Sequence, residues 1–330
     1  MPLSPIHDAA ESLALLARWG PLEAPPEPVA GGLQHRVYRL RTGGGDFAVK
    51  AISPSVAAYD GIRERLRRAE RIASAVAASG LPAVAALELA GETVHDLKGA
   101  LLLAYPWVEG RALPSSSSAG AEVGGIVGDL VGRVHALDLP SECGPAPTGD
   151  EVASDPWEPL VAEAEAQGAA WSAEARAALP DLCVWAELAR EARRGLGDRR
   201  VVGHGDLDPK NVLWSEDGSP WMVDWESAGP VPPAKEIVTA ALDWSGHGQD
   251  LATFRSVLVA YRTRAELSAS DARLGLRAYF DWLGWLEHSM RRSLSSDAEE
   301  RAIGARETES TLAALRGYAV NLHALDRSCG

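Results

Sequence analysis

The residues best suited to chemistry lie in one segment near the middle of the chain, residues 201–226. The segment contains His204, Asp206 and Asn211 in the pattern H-x-D-x-x-x-x-N, and a further acid, Asp224, follows. Carboxylate and amide oxygens are ligands that Mg²⁺ accepts, while it keeps its other positions for phosphates and water. The pattern therefore predicts a site where magnesium and phosphate groups meet.

An Asp-Gly turn separates two hydrophobic runs in this segment, which predicts an antiparallel hairpin. Symmetric pairing of its arms places Trp214 opposite Trp221 and Asn211 opposite Asp224. Opposed Cβ atoms lie about 4.5–5.5 Å apart, so we expect an amide and a carboxylate to converge within reach of Asp206. The alternative is a polar hairpin end in which Asp206 and Asn211 only cap turns.

The H-x-D-x-x-x-x-N spacing, with an aspartate beyond a hairpin, is that of the kinase catalytic loop. Here the chain resembles the aminoglycoside phosphotransferase and choline-kinase-like small-molecule kinases, whose signature is an HGDL…N loop and a hydrophobic strand ending in aspartate. The resemblance implies that Asp206 is the catalytic base or orients the acceptor hydroxyl. It also implies that Asn211 and Asp224 bind Mg²⁺ and that His204 is structural. The protein-kinase arginine is replaced by Gly205, and D-F-G by Asp-Trp-Glu.

The elements around this segment predict an α+β fold. Residues 37–41 and 47–52 are typical of a hairpin, and apolar residues recur at helical spacing over 59–79. Residues 83–89 and 100–105 read as strands, and helical patterns dominate after residue 110. The resemblance implies the two-lobed protein-kinase-like fold. We expect an N-terminal nucleotide-binding lobe at residues 1–105, and a mainly helical lobe with the catalytic loop and acceptor cleft at residues 106–330.

A kinase-like fold needs a strand lysine for the α- and β-phosphates and a helix glutamate to orient it. Lys50 ends a β-like run and is one of only four lysines in the chain. Glu70 and Glu64 both lie on the predicted helix. We choose Glu70 because it lies 12 residues before Pro82, the helix-to-strand spacing that the resemblance implies. A solvated strand-end lysine and a surface glutamate paired with arginine are the alternatives.

The resemblance also implies further nucleotide contacts in the first lobe. A shortened phosphate-covering turn and a lobe-joining segment whose backbone binds adenine are expected, with two small side chains above the ring. The residues assigned to these roles are Gly31, Gly32, Val37, Ala48, Tyr105 and Trp107. A plain turn and an ordinary strand end remain the alternatives.

Composition excludes several functional classes. The 330 residues are 46% hydrophobic and 24% charged, as in folded globular chains. The net charge is −14, which argues against nucleic-acid binding. The longest apolar stretch is nine residues, against about 20 for a membrane helix. Three dispersed cysteines favour neither a disulfide framework nor a zinc site. With no signal-peptide pattern, we expect a cytoplasmic protein.

The acceptor is the least specified part of the reaction. Residues 106–225 carry 21 acids and 9 bases, a net charge of −12, and residues 142–174 carry eight acids and no base. An acidic wall there would attract a cationic small molecule, and Trp282 and Trp285 could add aromatic faces. The alternatives are a solvated acidic surface and an aromatic stripe in the core.

Three functions stay open. The first is phosphorylation of a cationic aminoglycoside-like antibiotic, for resistance or self-protection. The second is phosphorylation of a metabolite such as choline, homoserine or a sugar. The third is nucleotide binding without turnover. The sequence leaves ATP against GTP and the oligomeric state undecided.

Overall fold

The computed structural model describes residues 5–30, 35–114, 118–137, 139 and 157–330. Its contacts divide the chain into two compact units. Unit 1 comprises residues 1–114, 137–144 and 204–229, and unit 2 comprises residues 115–136, 145–203 and 230–330. The predicted catalytic loop and hairpin therefore pack in unit 1. The predicted boundary between residues 105 and 106 assigned residues 204–229 to the second lobe, whereas here they pack in unit 1. The assignment of the two lobes stays a prediction.

Unit 1 is built mainly from strands. Its elements are α1 (Pro5–Ala17), β1 (Glu27–Val29), β2 (Arg36–Thr42), β3 (Gly45–Ala51), α2 (Pro54–Ala57), α3 (Ile62–Ala78), β4 (His95–Leu97), β5 (Ala100–Pro106), β6 (Arg111–Ala112), β8 (Val212–Trp214) and β9 (Pro220–Met222). Short 3₁₀ helices at Pro209–Asn211 and Trp225–Ser227 flank the last two strands. One antiparallel sheet has the order β1-β2-β3-β5-β4, and another has the order β6-β8-β9.

The predicted first hairpin forms between β2 and β3. Thr42 pairs with Gly45 across its tip, and the Thr42 hydroxyl accepts a hydrogen bond from Gly44 N at 3.2 Å and donates one to Gly45 O at 2.9 Å. A Cβ on Gly44 would lie 2.9 Å from Trp19 O. Glycine is required there because the hairpin tip packs directly on the chain after α1.

Two helices cover opposite faces of the five-stranded sheet. Leu13 of α1 packs with Val49 and Leu102 on one face, while Leu66 of α3 packs with Leu103 on the other. This follows from the alternation of side chains along β5, in which neighbouring leucines point to opposite faces. Each fully buried leucine contributes about 1.5–3 kcal/mol of transfer free energy, so both helices are held by apolar burial.

Residues 83–89, predicted to be a strand, form only isolated bridges at Ala83 and Leu89 and lie outside the regular sheet. Their backbone groups bond to scattered partners: Val84 N donates to Met222 O at 2.9 Å, Ala86 N to the Glu70 carboxylate at 2.7 Å, and Leu87 N to Ala104 O at 2.7 Å. A strand needs one continuous neighbour. The β-like composition of this segment reflects its burial between other elements.

Unit 2 is mainly helical. Its elements are α4 (Ala121–His135), α5 (Trp157–Ala166), α6 (Ser172–Gly195), β7 (Val201–Gly203), β10 (Gly229–Val231), α7 (Pro233–Trp244), α8 (Leu251–Arg262), α9 (Ala269–Ala278), α10 (Leu283–Ser293) and α11 (Ala298–Arg327). A glycine on α4 allows close packing on α8, because a Cβ on Gly128 would lie 2.1 Å from Val257 O. Among the described residues, no helix is long and apolar enough to cross a membrane.

Candidate active site

The predicted catalytic loop follows β7 and turns sharply at Gly205. Gly205 has φ +81°, and a Cβ there would lie 2.3 Å from Ser227 O, so only glycine fits. His204 is buried, with Nε2 3.0 Å from Val223 O and its ring centroid 4.4 Å from that of Trp225. His204 thus joins the loop to the segment after the hairpin, which matches the structural role that the resemblance implies.

Asp206 and Asn211 are bonded to each other. Asn211 Nδ2 donates to Asp206 O at 2.7 Å and to Asp206 Oδ2 at 2.9 Å. Asn211 is buried, whereas the Asp206 side chain is 48% exposed. Asn211 donates both hydrogens of its side-chain amide to Asp206, which leaves the Asn211 side-chain carbonyl oxygen for another partner. The exposed carboxylate is held in one orientation where a small molecule can approach it.

An acid and a base that the sequence analysis did not single out complete this loop. Asp208 caps the 3₁₀ turn, accepting a hydrogen bond from Lys210 N at 2.9 Å. The Lys210 ammonium contacts the Asp208 carboxylate and lies 3.5 Å from Asp206 Oδ2. Burial raises the pKa of Asp208 to about 6, against the charge of Lys210. The Asp-Pro pair at residues 208–209 is a helix-start signal that could have identified the cap.

The hairpin register differs by one residue from the prediction. Leu213 pairs with Trp221 and Trp214 with Pro220, and Val223 N donates to Asn211 O at 2.9 Å. Asn211 is therefore opposite Val223, and the predicted pairing with Asp224 is wrong.

The turn geometry explains the shift. Ser215 N donates to Ser219 O at 3.0 Å, which leaves a three-residue loop that ends at Gly218 with φ +81°. Such a loop places a bulge glycine in the left-handed region, whereas symmetric pairing assumed an even number of turn residues.

Asp224 directly follows the hairpin and contacts the strand lysine. Lys50 Nζ donates to Asp224 Oδ1 at 2.6 Å and to Glu226 Oε2 at 2.7 Å. Asp224 has φ +62°, a left-handed conformation that costs a residue other than glycine about 1–3 kcal/mol and concentrates at functional sites. The fold therefore brings together a lysine and an aspartate 174 residues apart.

The ammonium of Lys50 stays charged despite being buried. Burial lowers its pKa, but the charges and hydrogen bonds of Asp224 and Glu226 outweigh burial, so the pKa lies above its ordinary value. A charged ammonium is suited to binding phosphate oxygens.

Glu226 has a second partner, His35. Ser53 N donates to His35 Nδ1 at 3.1 Å, and His35 Nε2 lies 3.1 Å from Glu226 Oε2. Because Nδ1 accepts a hydrogen bond, the ring proton is on Nε2 and is donated to Glu226. Burial raises the pKa of Glu226, but the bond from His35 and the charge of Lys50 lower it to about 2. No motif in the sequence indicates this role for His35, which directly precedes β2.

Glu70 and Glu64 occupy different environments on α3. Glu70 is buried and accepts hydrogen bonds from Ala86 N at 2.7 Å and Tyr105 OH at 2.8 Å. Burial raises its pKa, against these two bonds. Glu64 is exposed and pairs with Arg71 at 2.9 Å. The interior acid is thus Glu70, but its hydrogen bonds go to the sheet and to Ala86, while Lys50 takes other partners.

Four residues assigned to the nucleotide lie on one face of the sheet. Val37 pairs with Lys50, and Ala48 pairs with Tyr105. Residues two apart along a strand share a face, so these four side chains lie opposite the face that α1 covers. Their nucleotide contacts remain predictions. Gly31 and Gly32, assigned to the phosphate-covering turn, lie outside the described residues.

Trp107 continues the sheet beyond β5. Its N–H donates to Asp46 O at 3.3 Å, and its indole Nε1 donates to Glu109 Oε1 at 2.8 Å. The Arg39 guanidinium lies 4.3 Å from the centroid of the indole. The Trp107 amide is therefore engaged in the sheet, and its predicted adenine contact stays a prediction.

A cleft of about 780 Å³ opens in unit 1 along residues 106–109. Its other walls are residues 83–88, the end of α3 and the hairpin at Ser215 and Trp221. Of the residues assigned to the nucleotide, Trp107 lines this cleft. Neither Lys50 nor Asp224 lines this cleft. The candidate site is therefore defined by the hydrogen bonds of Lys50, Asp224 and Asp206.

The residues predicted to hold magnesium have suitable donor atoms. Asn211 offers its carbonyl oxygen, and Asp224 is a 37% exposed carboxylate. Mg²⁺ is usually bound by one or two protein oxygens, with phosphates and waters as its other ligands. Within the described residues, no group of three His, Cys, Asp or Glu side chains has the arrangement of a metal site.

The predicted acidic wall is partly neutralised within unit 2. Arg176 pairs with Glu158 and Glu165, and Arg316 pairs with Glu174. Four of the eight acids of residues 142–174 precede α5 and lie outside the described residues. The local charge available to a cationic acceptor is therefore smaller than the sequence count indicates.

The aromatic residues near the C-terminus are also engaged. Asp281 is bonded to Arg193, and Lys235 Nζ lies 2.7 Å from its Oδ2. Trp282 packs on Tyr279 and on His247, with ring centroids 5.4 and 5.0 Å apart. These contacts favour a structural role for this cluster.

Comparison with known proteins places the chain in a family. The sequence pattern of the phosphotransferase enzyme family (APH) matches residues 26–284. No curated protein matches the chain.

Solved structures share its fold. Spectinomycin phosphotransferase APH(9)-Ia, in complex with ADP and spectinomycin, has a TM-score of 0.70 at 11% identity and covers 94% of this chain and 97% of its own. A choline/ethanolamine kinase family protein from Mesorhizobium loti has a TM-score of 0.58 at 15% identity, covering 98% and 100%. The microcompartment-associated aminopropanol kinase has a TM-score of 0.63 at 16% identity, covering 95% and 97%.

These comparisons confirm the predicted fold class and the predicted resemblance. Identities of 11–16% establish the fold, in which a small antiparallel sheet lobe accompanies a larger helical part. The family match covers most of the 330 residues and includes the HGDL loop and the hairpin after it. The chain belongs to the phosphotransferase enzyme family.

Proposed function

We propose that the protein transfers the γ-phosphoryl group of a nucleoside triphosphate to a hydroxyl group of a small molecule in a Mg²⁺-dependent reaction. The observation that carries the proposal is the ion pair between Lys50 and Asp224, at 2.6 Å. It joins a strand lysine suited to phosphates with the carboxylate suited to magnesium, in the same unit as the exposed Asp206. Family membership supports phosphotransfer to a small molecule.

Asp206 acts on the acceptor in this proposal. The acceptor oxygen forms a bond to the γ-phosphorus while the bond from that phosphorus to the bridging oxygen breaks, and the nucleoside diphosphate leaves. The hydroxyl proton passes to an Asp206 carboxylate oxygen. Asn211 donates one hydrogen bond to that carboxylate and one to the backbone carbonyl of Asp206, so the carboxylate is oriented before the acceptor arrives.

Lys50 and the magnesium ligands act on the nucleotide. Lys50 would bind the α- and β-phosphate oxygens, and Asn211 and Asp224 would hold Mg²⁺, which supplies charge neutralisation on the phosphates when bound. Positioning and charge neutralisation account for most of catalysis in phosphoryl transfer. The position of these side chains therefore matters more for the proposed reaction than their chemical reactivity.

ATP is the proposed donor, with GTP as the alternative. Structures that share this fold contain ADP or AMP, which favours an adenine nucleotide. The protein is proposed to act in the cytoplasm, where these nucleotides are abundant.

The proposed acceptor is a cationic amine that carries a hydroxyl, most consistently an aminoglycoside-like antibiotic. Residues 106–225 carry a net charge of −12, which attracts cations at long range, and one protein of this fold is a spectinomycin phosphotransferase. The second candidate is an amino alcohol metabolite, favoured by the fold shared with aminopropanol and choline/ethanolamine kinases.

Release of ADP or GDP, measured against aminoglycosides, amino alcohols and neutral sugars, tests the proposal. Turnover with amine-bearing acceptors is expected. Turnover with neutral sugars alone would contradict the proposal of a cationic acceptor but support phosphotransferase activity. Tight binding of Mg·ATP with no turnover on any acceptor would instead favour a nucleotide-binding module.

A further inference from the structure

The sequence pattern assigned no role of its own to His35, which lies three residues after the glycines of the predicted phosphate-covering turn. It is buried beside the paired Lys50 and Glu226, and both of its ring nitrogens lie at hydrogen-bond distance from partners in unit 1. Ser53 directs a backbone N–H at Nδ1, and Glu226 lies at Nε2. The histidine thus fixes the position of a carboxylate that in turn contacts the lysine.

We propose that His35 positions Lys50 for the nucleotide phosphates by holding Glu226, which takes the lysine-orienting role expected of Glu70. His35 is a positioning residue, and the inference rests on the proposed function, because it assumes that Lys50 binds phosphates. It follows from the chain of contacts from Ser53 through His35 and Glu226 to Lys50.

The partners of Lys50 explain why a second carboxylate is needed. In the proposed reaction, Asp224 shares its oxygens with Mg²⁺, which weakens its hold on the lysine. Glu226 then remains as the carboxylate in contact with the ammonium, at 2.7 Å. A lysine side chain has a flexible four-carbon stem, so an anion held at a constant position reduces its freedom.

Glu70 does not orient Lys50, because its carboxylate is bonded to other groups. Its two oxygens accept hydrogen bonds from Ala86 N and from Tyr105 OH. Breaking either bond to reach a lysine would leave a buried polar group unpaired, which is unfavourable. Glu70 therefore fastens α3 to β5, while Glu226 orients the lysine.

Two conservative substitutions of His35 separate its two hydrogen bonds. His35→Gln places an amide N–H near the former Nε2 and retains the donor to Glu226. His35→Asn places an oxygen near the former Nδ1 and retains the acceptor for Ser53. The affinity for Mg·ADP, measured by calorimetry without acceptor, is expected to fall less than threefold in His35→Gln. We expect a fall of about tenfold in His35→Asn, the size of one hydrogen bond to a charged group.

Glu226→Gln and Glu70→Gln form a matched pair of controls. Glu226→Gln is expected to weaken Mg·ADP binding about tenfold or more, and Glu70→Gln less than threefold, because a glutamine amide can serve both Ala86 and Tyr105. The same variants should raise the KM for ATP by these factors while kcat at saturation changes less than threefold. Melting temperatures show that each variant is folded.

The reverse pattern would overturn the inference. Loss of affinity in His35→Gln with retention in His35→Asn would mean that the histidine serves Ser53 only, and equal affinities in both variants would exclude positioning through Glu226. A larger loss in Glu70→Gln than in Glu226→Gln would return the orienting role to Glu70. Wild-type protein that binds Mg·ADP but phosphorylates no acceptor would refute the proposed function and leave this comparison intact.

Discussion

At the scale of single residues, the candidate site combines fixed geometry with exposure. Asp206 is 48% exposed, yet its carboxylate is bonded to the buried Asn211. An acid that only capped a turn would direct an oxygen at a backbone N–H group, as Asp208 does with Lys210 N. The orientation of Asp206 by a neighbouring amide is therefore more typical of a group that receives a proton from a substrate.

Replacing Asp206 with asparagine should abolish transfer and leave nucleotide binding unchanged. Asparagine keeps the size of the side chain but cannot accept the hydroxyl proton, so kcat should fall at least about hundredfold. The affinity for Mg·ATP, measured by calorimetry, should stay within twofold because Asp206 acts on the acceptor. Glu216→Gln, in the exposed hairpin turn, is the control and should keep wild-type kcat. Full activity of Asp206→Asn would contradict the assigned role.

Asp224→Ala should weaken nucleotide binding only when magnesium is present. The substitution removes the proposed ligand and one partner of Lys50, so the Kd for ATP in Mg²⁺ buffer should rise about tenfold or more. In buffer with a chelator, wild type and variant should differ by less than threefold. Unchanged affinity in Mg²⁺ buffer would remove Asp224 from the metal site.

Asp208 should make stability depend on pH. Burial raises its pKa from 3.8 to about 6 in the folded chain, so between those values the folded state holds a proton that the unfolded state lacks. The free energy of unfolding therefore falls as the pH rises from about 4 to 6.

Asp208→Asn keeps the cap on Lys210 N but cannot ionise. Relative to this variant, wild type should lose up to about 3 kcal/mol over that pH range. Urea unfolding of both proteins from pH 4 to 7 measures the difference. Parallel curves would show that Asp208 does not titrate there.

At the scale of elements, α3 is joined to the sheet by polar contacts as well as by its apolar face. Glu70→Ala leaves Ala86 N and Tyr105 OH without their acceptor in the interior, so it should lower the free energy of unfolding by about 2–4 kcal/mol. Glu64→Ala, six residues earlier on α3 and on its exposed face, should change it by less than about 0.5 kcal/mol. Urea denaturation distinguishes the two, and equal effects would contradict the assigned environments.

Local sequence patterns predicted the helices and strands better than they predicted strand register and long-range contacts. The period of apolar residues on α3 and the glycine-rich tip between β2 and β3 depend on neighbours in sequence, and both elements form as expected. The register of the second hairpin depends on the φ value of Gly218, a single dihedral that composition does not specify. The partners of Lys50 depend on where Glu226 returns to the sheet, which is a long-range contact that no periodicity encodes.

At the scale of the whole molecule, charge is unevenly distributed. The net charge of −14 comes almost entirely from residues 106–225, while ion pairs within unit 2 neutralise several of the acids there. Long-range attraction of a cation depends on net charge, whereas a local contact depends on the unpaired acids. The two contributions respond differently to salt, because exposed charges are screened beyond about 8 Å at physiological ionic strength.

The salt dependence of turnover therefore tests the nature of the acceptor. If the acceptor is a cation drawn by the net charge, kcat/KM for it should fall about fivefold or more between 25 and 300 mM salt at saturating Mg·ATP. A neutral sugar acceptor should show less than a twofold change over the same range, and the KM for ATP under each condition controls for effects on the nucleotide. Equal salt slopes for charged and neutral acceptors would mean that the acidity of residues 106–225 serves the surface of the protein and takes no part in choosing its substrate.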